Sequence, residues 1–369
     1  MRLGTCIAGE LAVGIAMAAG VVFAGTWGVR HAPAMLDGEA QAASLSADDG
    51  GYAPVVRFES VGAIEARAKA PPPVAADSGM AFFGVPDDEL LAPLRGAGLE
   101  RIKFNRGGSG VSFRIDFAGG GRVAFKPDQI NVQSEPRHEL AAYRIDRLLG
   151  IGATAPCIPM RFRMDDVYNH LDGRFVNSVA RIAHETITHD GWLYGAASWW
   201  IPVIDFARVS GYPIDSYDGK VAWKWMLTIG RPIPPGDAEM ARQISNLLLF
   251  DHLINNMDRW TGNNTRSSTD QSKLYFMDNA LSFGNKPEGG DNVIVFLHRA
   301  QRFSRRLVGR LRTLTIEEVR KAVGTDLGPY ERILEDSEID ALMHRRDFAI
   351  AYIDELIRAH GEDAVLVFP

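Results

Sequence analysis

The positions of apolar and polar residues divide the chain into a strand-like part followed by a helix-like part. Between residues 99 and 126, apolar residues alternate with polar ones, and two glycine-rich stretches (107–110 and 119–121) interrupt the alternation. Short alternating runs separated by glycine turns predict an antiparallel meander of three strands. Two further strands are predicted at residues 154–164 and 177–187.

Later segments repeat apolar residues every three to four positions, which is the spacing of amphipathic helices. Helices are predicted at residues 86–95, 138–150, 237–254, 315–323 and 338–360, with Gly150 ending the second and Asp237 capping the third. Residues 201–206 fit either a strand or the start of a helix. Strands followed by helices predict a bilobal α+β domain, with an N-lobe over about residues 81–205 and a C-lobe over about 206–369.

The N-terminal 80 residues have a different composition from the predicted domain. Residues 11–29 are almost uniformly apolar and long enough to span a bilayer, while Val22, Phe23 and Ala24 fit a cleavage site. Residues 1–29 therefore predict either a signal anchor or a cleaved signal peptide. Residues 30–80 are rich in Ala, Pro, Ser and Gly and predict a disordered tether, with one weak strand at 52–58. The domain is expected outside the cytoplasm, attached to the membrane if the signal is uncleaved.

Composition and charge exclude several classes of protein. The 369-residue chain has a net charge of -6, which predicts no nucleic-acid partner. It contains two cysteines, Cys6 and Cys157, and Cys6 lies in the export segment, so the mature domain has no intramolecular disulfide. The cysteine and histidine spacings match no zinc motif.

Residues 246–284 contain the most specific chemical pattern. An apolar helix is followed by Asp258, Asn263 stands five positions later, and Asp278 ends a short apolar strand at 274–277. This spacing is typical of phosphoryl-transfer enzymes, where one carboxylate orients the attacking hydroxyl. A second carboxylate and an amide oxygen hold Mg²⁺ or Mn²⁺. Asp258 is the predicted catalytic residue, and Asn263 and Asp278 are the predicted metal ligands.

The strand meander supplies candidates for nucleotide binding. The loop formed by Gly107, Gly108, Ser109 and Gly110 precedes Lys126 on the third strand, as in kinases whose glycine loop covers the phosphates of ATP. Glu139 follows on the next helix, where it can contact Lys126 or the metal site. Alone, each feature has an ordinary structural explanation: a glycine hairpin, an edge lysine and a surface glutamate.

Four segments resemble the four-jointed and Golgi casein kinase family of atypical secretory kinases. They are FKP at 125–127, HELAAYRIDRLLG at 138–150, LLLFDHLINNMDRWTGN at 247–263 and MDNALSFG at 277–284. The resemblance implies a kinase fold, ATP with Mn²⁺ or Mg²⁺, and the roles assigned above to Lys126, Glu139, Asp258, Asn263 and Asp278. Animal members carry several disulfides, so the single mature cysteine indicates a bacterial member. Trp260 stands where those kinases often have His.

Three functions compete for this pattern. The favoured one is a kinase acting on Ser or Thr of exported or envelope proteins. The first alternative is a kinase for a glycan, a lipid or a small molecule, because acceptor choice depends on loops whose sequence is uninformative. The second alternative is a non-catalytic nucleotide-binding scaffold, which the joint presence of Lys126, Glu139, Asp258, Asn263 and Asp278 disfavours.

Overall fold

The structure is a computed structural model, and it describes residues 81–261 and 264–369. The predicted export segment (1–29), the tether (30–80) with its weak strand, and Asn263 lie outside the described residues. Within the described part of the chain, no helix combines the length and apolar character needed to cross a membrane.

The strands concentrate in the first half of the described chain. In chain order they are β1 (Ala81–Phe82), β2 (Val85–Pro86), β3 (Leu99–Phe104), β4 (Phe113–Phe117), β5 (Arg122–Pro127), β6 (Cys157–Arg163), β7 (Thr188–His189), β8 (Trp192–Trp199), β9 (Asp205–Phe206), β10 (Arg208–Val209), β11 (Tyr212–Pro213), β12 (Arg266–Ser267) and β13 (Leu274–Tyr275). The main sheet is antiparallel and has the order β3-β4-β5-β8-β6, with β7 paired to β8. The predicted three-strand meander is thus β3, β4 and β5.

Period-2 alternation gives this sheet two different faces. One face is a buried apolar layer formed by Ile102, Phe104, Phe113, Ile115, Phe117, Val123 and Phe125. The other face carries Lys126, which is paired with Ala196 of β8. The alternation therefore decides that Lys126 points away from the sheet's own core.

The helices concentrate in the second half. They are α1 (Asp87–Leu91), α2 (Pro136–Leu149), α3 (Met164–Asn169), α4 (Val179–Glu185), α5 (Tyr217–Met226), α6 (Ala238–Ile254), α7 (Asp291–Leu297), α8 (Arg305–Thr313), α9 (Ile316–Val323), α10 (Asp336–His360) and α11 (Glu362–Val365). Local signals set several ends: Pro136 opens α2, Gly150 ends it in a left-handed conformation, and Thr315 with Glu318 forms a capping box on α9.

The large core joins α2 to the helical half. Leu140 and Ile145 of α2, Ala196 of β8 and the buried face of α6 belong to one apolar cluster. Almost the whole of α6 is buried, from Met240 to Ile254. The element that precedes the predicted catalytic loop is consequently one of the most enclosed parts of the described chain.

Two expectations from the sequence are wrong. The strand predicted at residues 177–187 is instead mostly helical, with residues 179–185 forming α4 and residues 173–178 a 3-10 helix. Val176, Val179 and Ile182 recur every three residues, and Ile182 alone of these is buried. Asp237 does not cap α6 with its side chain, because its backbone is already near-helical. Its carboxylate accepts hydrogen bonds from the backbone N (2.9 Å) and the hydroxyl (2.7 Å) of Ser210.

Candidate active site

Three side chains predicted to act together meet between the sheet and the helical part. The ammonium group of Lys126, near the end of β5, lies 2.6 Å from Oε1 of Glu139 on α2. The same group lies 2.5 Å from Oδ1 of Asp278, which follows β13. We call Lys126, Glu139 and Asp278 the charge cluster. Its members are separated by up to 152 positions, so only the fold brings them together.

Glu139 is not an ordinary surface glutamate. It is 6% exposed, and the backbone N of Asn279 donates to its Oε1 at 3.0 Å. The helix α2 therefore contacts both the strand that carries Lys126 and the loop that carries Asp278.

Asp278 has a strained backbone conformation of the kind that is often found at functional sites. Its φ is 63°, in the left-handed region, which Asp tolerates better than most residues. The side chain is 46% exposed, more than Lys126 at 24%. The charge of Lys126 outweighs burial and lowers the pKa of Asp278. Burial would lower the pKa of Lys126, but Asp278 and Glu139 outweigh it and raise that pKa.

Asp258 lies just beyond the end of α6, where Asn255 adopts φ 57° and closes the helix. Thr261 donates its hydroxyl to Oδ1 of Asp258, and the side-chain amide of Asn264 donates to Oδ2 at 2.9 Å. Asn256 accepts from the backbone N of Asp258 at 3.1 Å and donates to the backbone O of Asp278 at 3.2 Å. One side chain therefore couples the two loops that carry the predicted catalytic and metal-binding carboxylates.

Beneath these loops lies a polar network that sequence reasoning missed. The guanidinium of Arg259, which is 0% exposed, donates through Nε to both carboxylate oxygens of Asp251 at 3.2 Å. It also donates to Oδ1 of Asn279 at 2.6 Å and to the backbone O of Met277. We call Asp251, Asn256, Arg259 and Asn279 the buried bridge. The available signal was Asp251 itself, a charged residue inside the apolar run LLLFDHLI, which requires a buried partner.

The glycine-rich loop connects β3 to β4. Asn105 closes its base through a backbone hydrogen bond to Ser112 at 2.9 Å. Arg181 of α4 donates to the carbonyl of Ser109 at 2.9 Å. An added side-chain carbon at Gly107 would meet nothing within 4 Å, so this part of the loop is open. The geometry leaves Gly107 and Gly108 available to a ligand.

The sheet face that carries Lys126 is basic, a feature that the sequence patterns did not predict. Arg101 and Arg114 donate to Oδ2 of Asp116 at 3.1 Å, and Arg122 donates to Oδ1 at 2.6 Å. The strand register places Arg114 opposite Ala124, two residues before Lys126. Three arginines around one carboxylate leave an excess of positive charge on this face.

The donor set fits a hard divalent cation of the kind that phosphoryl transfer uses. Among the described residues, no group of three or more His, Cys, Asp or Glu side chains could hold a metal ion. Mg²⁺ is usually bound by one or two carboxylates together with substrate phosphates, so a complete protein cage is not required. Asp278 supplies an exposed carboxylate, and the predicted second ligand, Asn263, lies outside the described residues.

Comparison with known proteins connects this geometry to named kinases. No family model matches the chain. Over 305 residues it is 24% identical to the glycosaminoglycan xylosylkinase of Homo sapiens, covering 72% of this chain and 74% of the relative. The Danio rerio protein of the same name is 23% identical over 317 residues, covering 75% and 77%.

Solved structures share the fold. The golgi casein kinase has a TM-score of 0.61 at 17% identity, covering 76% of this chain and 77% of that one. These similarities support the predicted resemblance to the four-jointed and Golgi casein kinase family. The predicted bilobal kinase-like fold and the predicted enzyme class, a kinase, are confirmed. Another structure of the golgi casein kinase, at TM-score 0.61 and 16% identity over 76% of this chain and 78% of that one, has Mn and ADP bound.

Proposed function

We propose that this kinase transfers the terminal phosphate of ATP to a hydroxyl group, and that the charge cluster and Asp258 form its active site. The observation that carries the proposal is the position of Lys126, which contacts Glu139 at 2.6 Å and Asp278 at 2.5 Å. An active protein kinase requires an ion pair between a strand lysine and a helix glutamate, together with an aspartate that holds Mg²⁺. Lys126 and Glu139 form such a pair, and Asp278 lies beside it.

Each side chain of the cluster has a defined task. Lys126 binds the nucleotide phosphates through its ammonium group, and Glu139 fixes the position of that group. The glycine loop at residues 107–110 covers the phosphates from the sheet side. Replacing a phosphate-binding lysine removes both charge complementarity and orientation of the donor.

Asp258 acts on the acceptor. Its carboxylate accepts the proton of the attacking hydroxyl or orients that hydroxyl towards the terminal phosphate. The hydrogen bonds from Thr261 and Asn264 hold the carboxylate plane, and each oxygen retains a second lone pair for the acceptor. The side chain of Asn256 keeps this loop in register with the loop of Asp278.

A divalent ion completes the nucleotide site in this proposal. Asp278 and Asn263 would hold Mn²⁺ or Mg²⁺ together with phosphate oxygens of the nucleotide. The bound ion supplies positive charge that offsets the developing charge on the transferred phosphate. The exposed carboxylate of Asp278 and the Mn and ADP bound to the structurally similar golgi casein kinase support this assignment.

The acceptor belongs to one of two classes. Sequence reasoning favoured Ser or Thr of exported proteins, and the name of the golgi casein kinase supports a protein acceptor. The two curated relatives are both glycosaminoglycan xylosylkinases, and hydra Fam20 (TM-score 0.57, 16% identity, 74% of this chain and 90% of that one) was solved with sugar. These names favour a sugar hydroxyl, which we propose as the first acceptor to test.

We also propose that the kinase domain acts outside the cytoplasm. The apolar segment at residues 11–29 and the composition of residues 30–80 support export followed by a tether. Protease added to intact cells or spheroplasts should digest the domain from outside. A domain that stays protected, with full-length protein in the cytosol, would contradict export.

A phosphate-transfer assay tests the activity and the acceptor together. The full chain is incubated with Mn²⁺ and ATP labelled at the terminal phosphate, with either a xylose-terminated glycan or casein as acceptor. Labelled glycan supports the sugar acceptor, and labelled casein supports the protein acceptor. Lys126→Ala should lose both transfer and nucleotide affinity. A wild-type protein that binds ATP but labels neither acceptor, nor itself, would favour the scaffold alternative.

A further inference from the structure

Gln129, two residues beyond the end of β5, makes an unusual set of contacts with the base of the glycine loop. Its side-chain oxygen accepts from the backbone N of Val111 at 2.7 Å, and its side-chain nitrogen donates to the backbone O of Val111 at 3.0 Å. The same nitrogen lies 3.2 Å from the backbone O of Pro127 and 3.2 Å from the hydroxyl of Ser134. Gln129 is 8% exposed. The carboxamide of Gln129 thus bonds both backbone groups of Val111, the residue that follows the glycine loop, as a neighbouring β-strand would.

The last glycine of the loop leaves room for this carboxamide. A side-chain carbon added at Gly110 would lie 2.5 Å from Oε1 of Gln129 and 3.2 Å from its Cδ. Gly110 does not have the positive φ that would itself require glycine. The constraint on Gly110 is therefore steric and comes mainly from Gln129, with the side-chain nitrogen of Asn131 at 3.3 Å. Any side chain at Gly110 would displace a carboxamide that makes four hydrogen bonds.

The loop is consequently fixed at two points, and Gly107 and Gly108 lie outside both. Arg181 holds the carbonyl of Ser109, and Gln129 holds Val111. The segment of Gln129 also continues to Glu135, whose backbone N donates to the backbone O of Ala280 at 3.1 Å. One short segment thus contacts the glycine loop, the start of α2 and the loop after Asp278.

We propose that Gln129 is a positioning residue that holds the glycine loop in the conformation that binds the nucleotide phosphates. The proposal rests on the proposed kinase function. A loop held at its base loses less conformational freedom when the nucleotide binds, so affinity rises without a direct contact between Gln129 and the ligand. The Gln129→Ala variant removes the four hydrogen bonds and leaves Lys126, Glu139 and Asp278 in place.

The test is a double-mutant cycle in the full chain. The variants are Gln129→Ala, Gly110→Ala and the double variant, with Gln133→Ala as a matched control on an exposed glutamine of the same segment. The affinity for ATP with Mn²⁺ is measured by calorimetry, and KM and kcat are measured in the transfer assay. Thermal unfolding of each variant shows whether it folds.

We expect Gln129→Ala and Gly110→Ala each to weaken ATP binding about tenfold, mainly through KM, because each removes the same set of buried hydrogen bonds. The double variant should be no weaker than either single variant, since Gly110→Ala has no carboxamide left to displace. Gln133→Ala should bind ATP like the wild type.

The ATP-binding measurements distinguish a failure of the Gln129 positioning role from a failure of the proposed kinase function. If the wild type binds no ATP with Mn²⁺ or Mg²⁺, the proposed function fails and this proposal fails with it. If the wild type binds ATP and Gln129→Ala binds it equally well, the positioning role alone is wrong. Effects that multiply in the double variant, or a loss of kcat with KM unchanged, would also overturn it. If Gln129→Ala does not fold, Gly110→Ala decides: wild-type ATP affinity in that variant contradicts the positioning role.

Discussion

The charge cluster and the buried bridge are adjacent networks of similar composition with opposite exposure. In the charge cluster the side chain of Asp278 is 46% exposed, and one lysine faces two carboxylates. In the buried bridge Arg259 is 0% exposed, and its guanidinium contacts Asp251, Asn279 and a backbone carbonyl. Asn279 of the bridge donates to Glu139 through its backbone N at 3.0 Å and through its side-chain nitrogen at 3.5 Å, and Asn256 of the bridge donates to the backbone O of Asp278 at 3.2 Å. These three hydrogen bonds therefore join the two networks.

The difference in exposure indicates different roles for the two networks: ligand binding for the charge cluster and stability for the buried bridge. Partly exposed ion pairs contribute about 0–1 kcal/mol to stability, because water competes for both charges. Removing one partner of a buried pair costs about 3–5 kcal/mol, because the remaining charge stays buried and uncompensated. A change at Asp278, the exposed carboxylate of the cluster, should therefore alter ligand binding and leave the fold intact, whereas changes in the bridge should destabilise the fold.

The largest expected effect is the loss of phosphate transfer when Asp258, in the loop above the buried bridge, is replaced. Asp258→Asn keeps the shape of the side chain and removes its basicity. A positioned general base contributes about 10²–10⁴-fold, so phosphate transfer should fall by that factor while ATP affinity changes little. Initial rates with labelled ATP and calorimetric ATP binding measure the two quantities.

Asp291→Asn is the matched control, because the Asp291 side chain is 96% exposed and lies outside both networks. It should retain wild-type transfer. Full activity in Asp258→Asn would contradict the assignment of Asp258. Equal losses of transfer and of ATP affinity would instead indicate a structural role for Asp258.

The second effect tests the bridge. Arg259→Met keeps much of the side-chain volume and leaves Asp251 buried without its partner. The free energy of unfolding should fall by about 3–5 kcal/mol, measured by chemical denaturation. Arg358→Met is the control, since Arg358 is 68% exposed and pairs with Glu355, which lies on the same helix. Its expected change is within about 0.5 kcal/mol, and an equally small change in Arg259→Met would show that the bridge is not a stabilising network.

Sequence reasoning found the charge cluster because its members occupy motif positions. Lys126 ends a predicted strand, Glu139 lies on a predicted helix, and Asp278 follows an apolar run, so spacing and residue type were sufficient. The strand meander and helix α2 were also predictable from local signals. The strands alternate apolar and polar residues, and the helix begins at Pro136 and ends at Gly150. Local patterns therefore predicted much of the fold that positions the cluster.

Sequence spacing predicted neither the buried bridge nor the contacts of Gln129 with the glycine loop. Arg259 looks like the second residue of a turn, and its partners Asp251 and Asn279 are identified only when α6 and the loop after β13 are packed together. Gln129 belongs to no motif, and its hydrogen bonds to Val111 depend on how the chain beyond β5 lies beside the chain before β4. Buried polar contacts between distant segments are properties of the tertiary structure, which no local pattern encodes.

The third prediction uses a titratable neighbour of the bridge. His252 follows Asp251 on α6, and neither of its ring nitrogens has a hydrogen-bond partner in the described structure. Burial, with the positive charge of Arg345 and the neighbouring His298, lowers the pKa of His252 to about 3. In the unfolded chain its pKa is about 6.5, so below that pH the unfolded state binds the additional proton and stability falls.

His252→Phe removes this titration and keeps an aromatic ring against Phe348. Relative to the variant, the wild type should lose about 1.4 kcal/mol per pH unit as the pH falls below about 6.5. Burial raises the pKa of Asp251 to about 7, which acts in the opposite direction, but the same group is present in both proteins and cancels in the difference. Denaturation at several pH values gives the difference curve, and a flat curve would mean that His252 is not held neutral.

The smallest effect on stability should come from Asp278→Asn, within the charge cluster. Asn tolerates the left-handed φ of 63° as well as Asp does, and the ion pair between Lys126 and Glu139, 2.6 Å in the wild type, does not involve the Asp278 side chain. The lost pair is partly exposed, so the free energy of unfolding should change by less than about 1 kcal/mol. Affinity for ATP with Mn²⁺ should nevertheless fall clearly, because the proposed metal carboxylate is gone. Asp270→Asn, on an exposed loop, serves as control. A large stability loss with unchanged ATP affinity in Asp278→Asn would place Asp278 with the structural network and contradict its proposed role in binding.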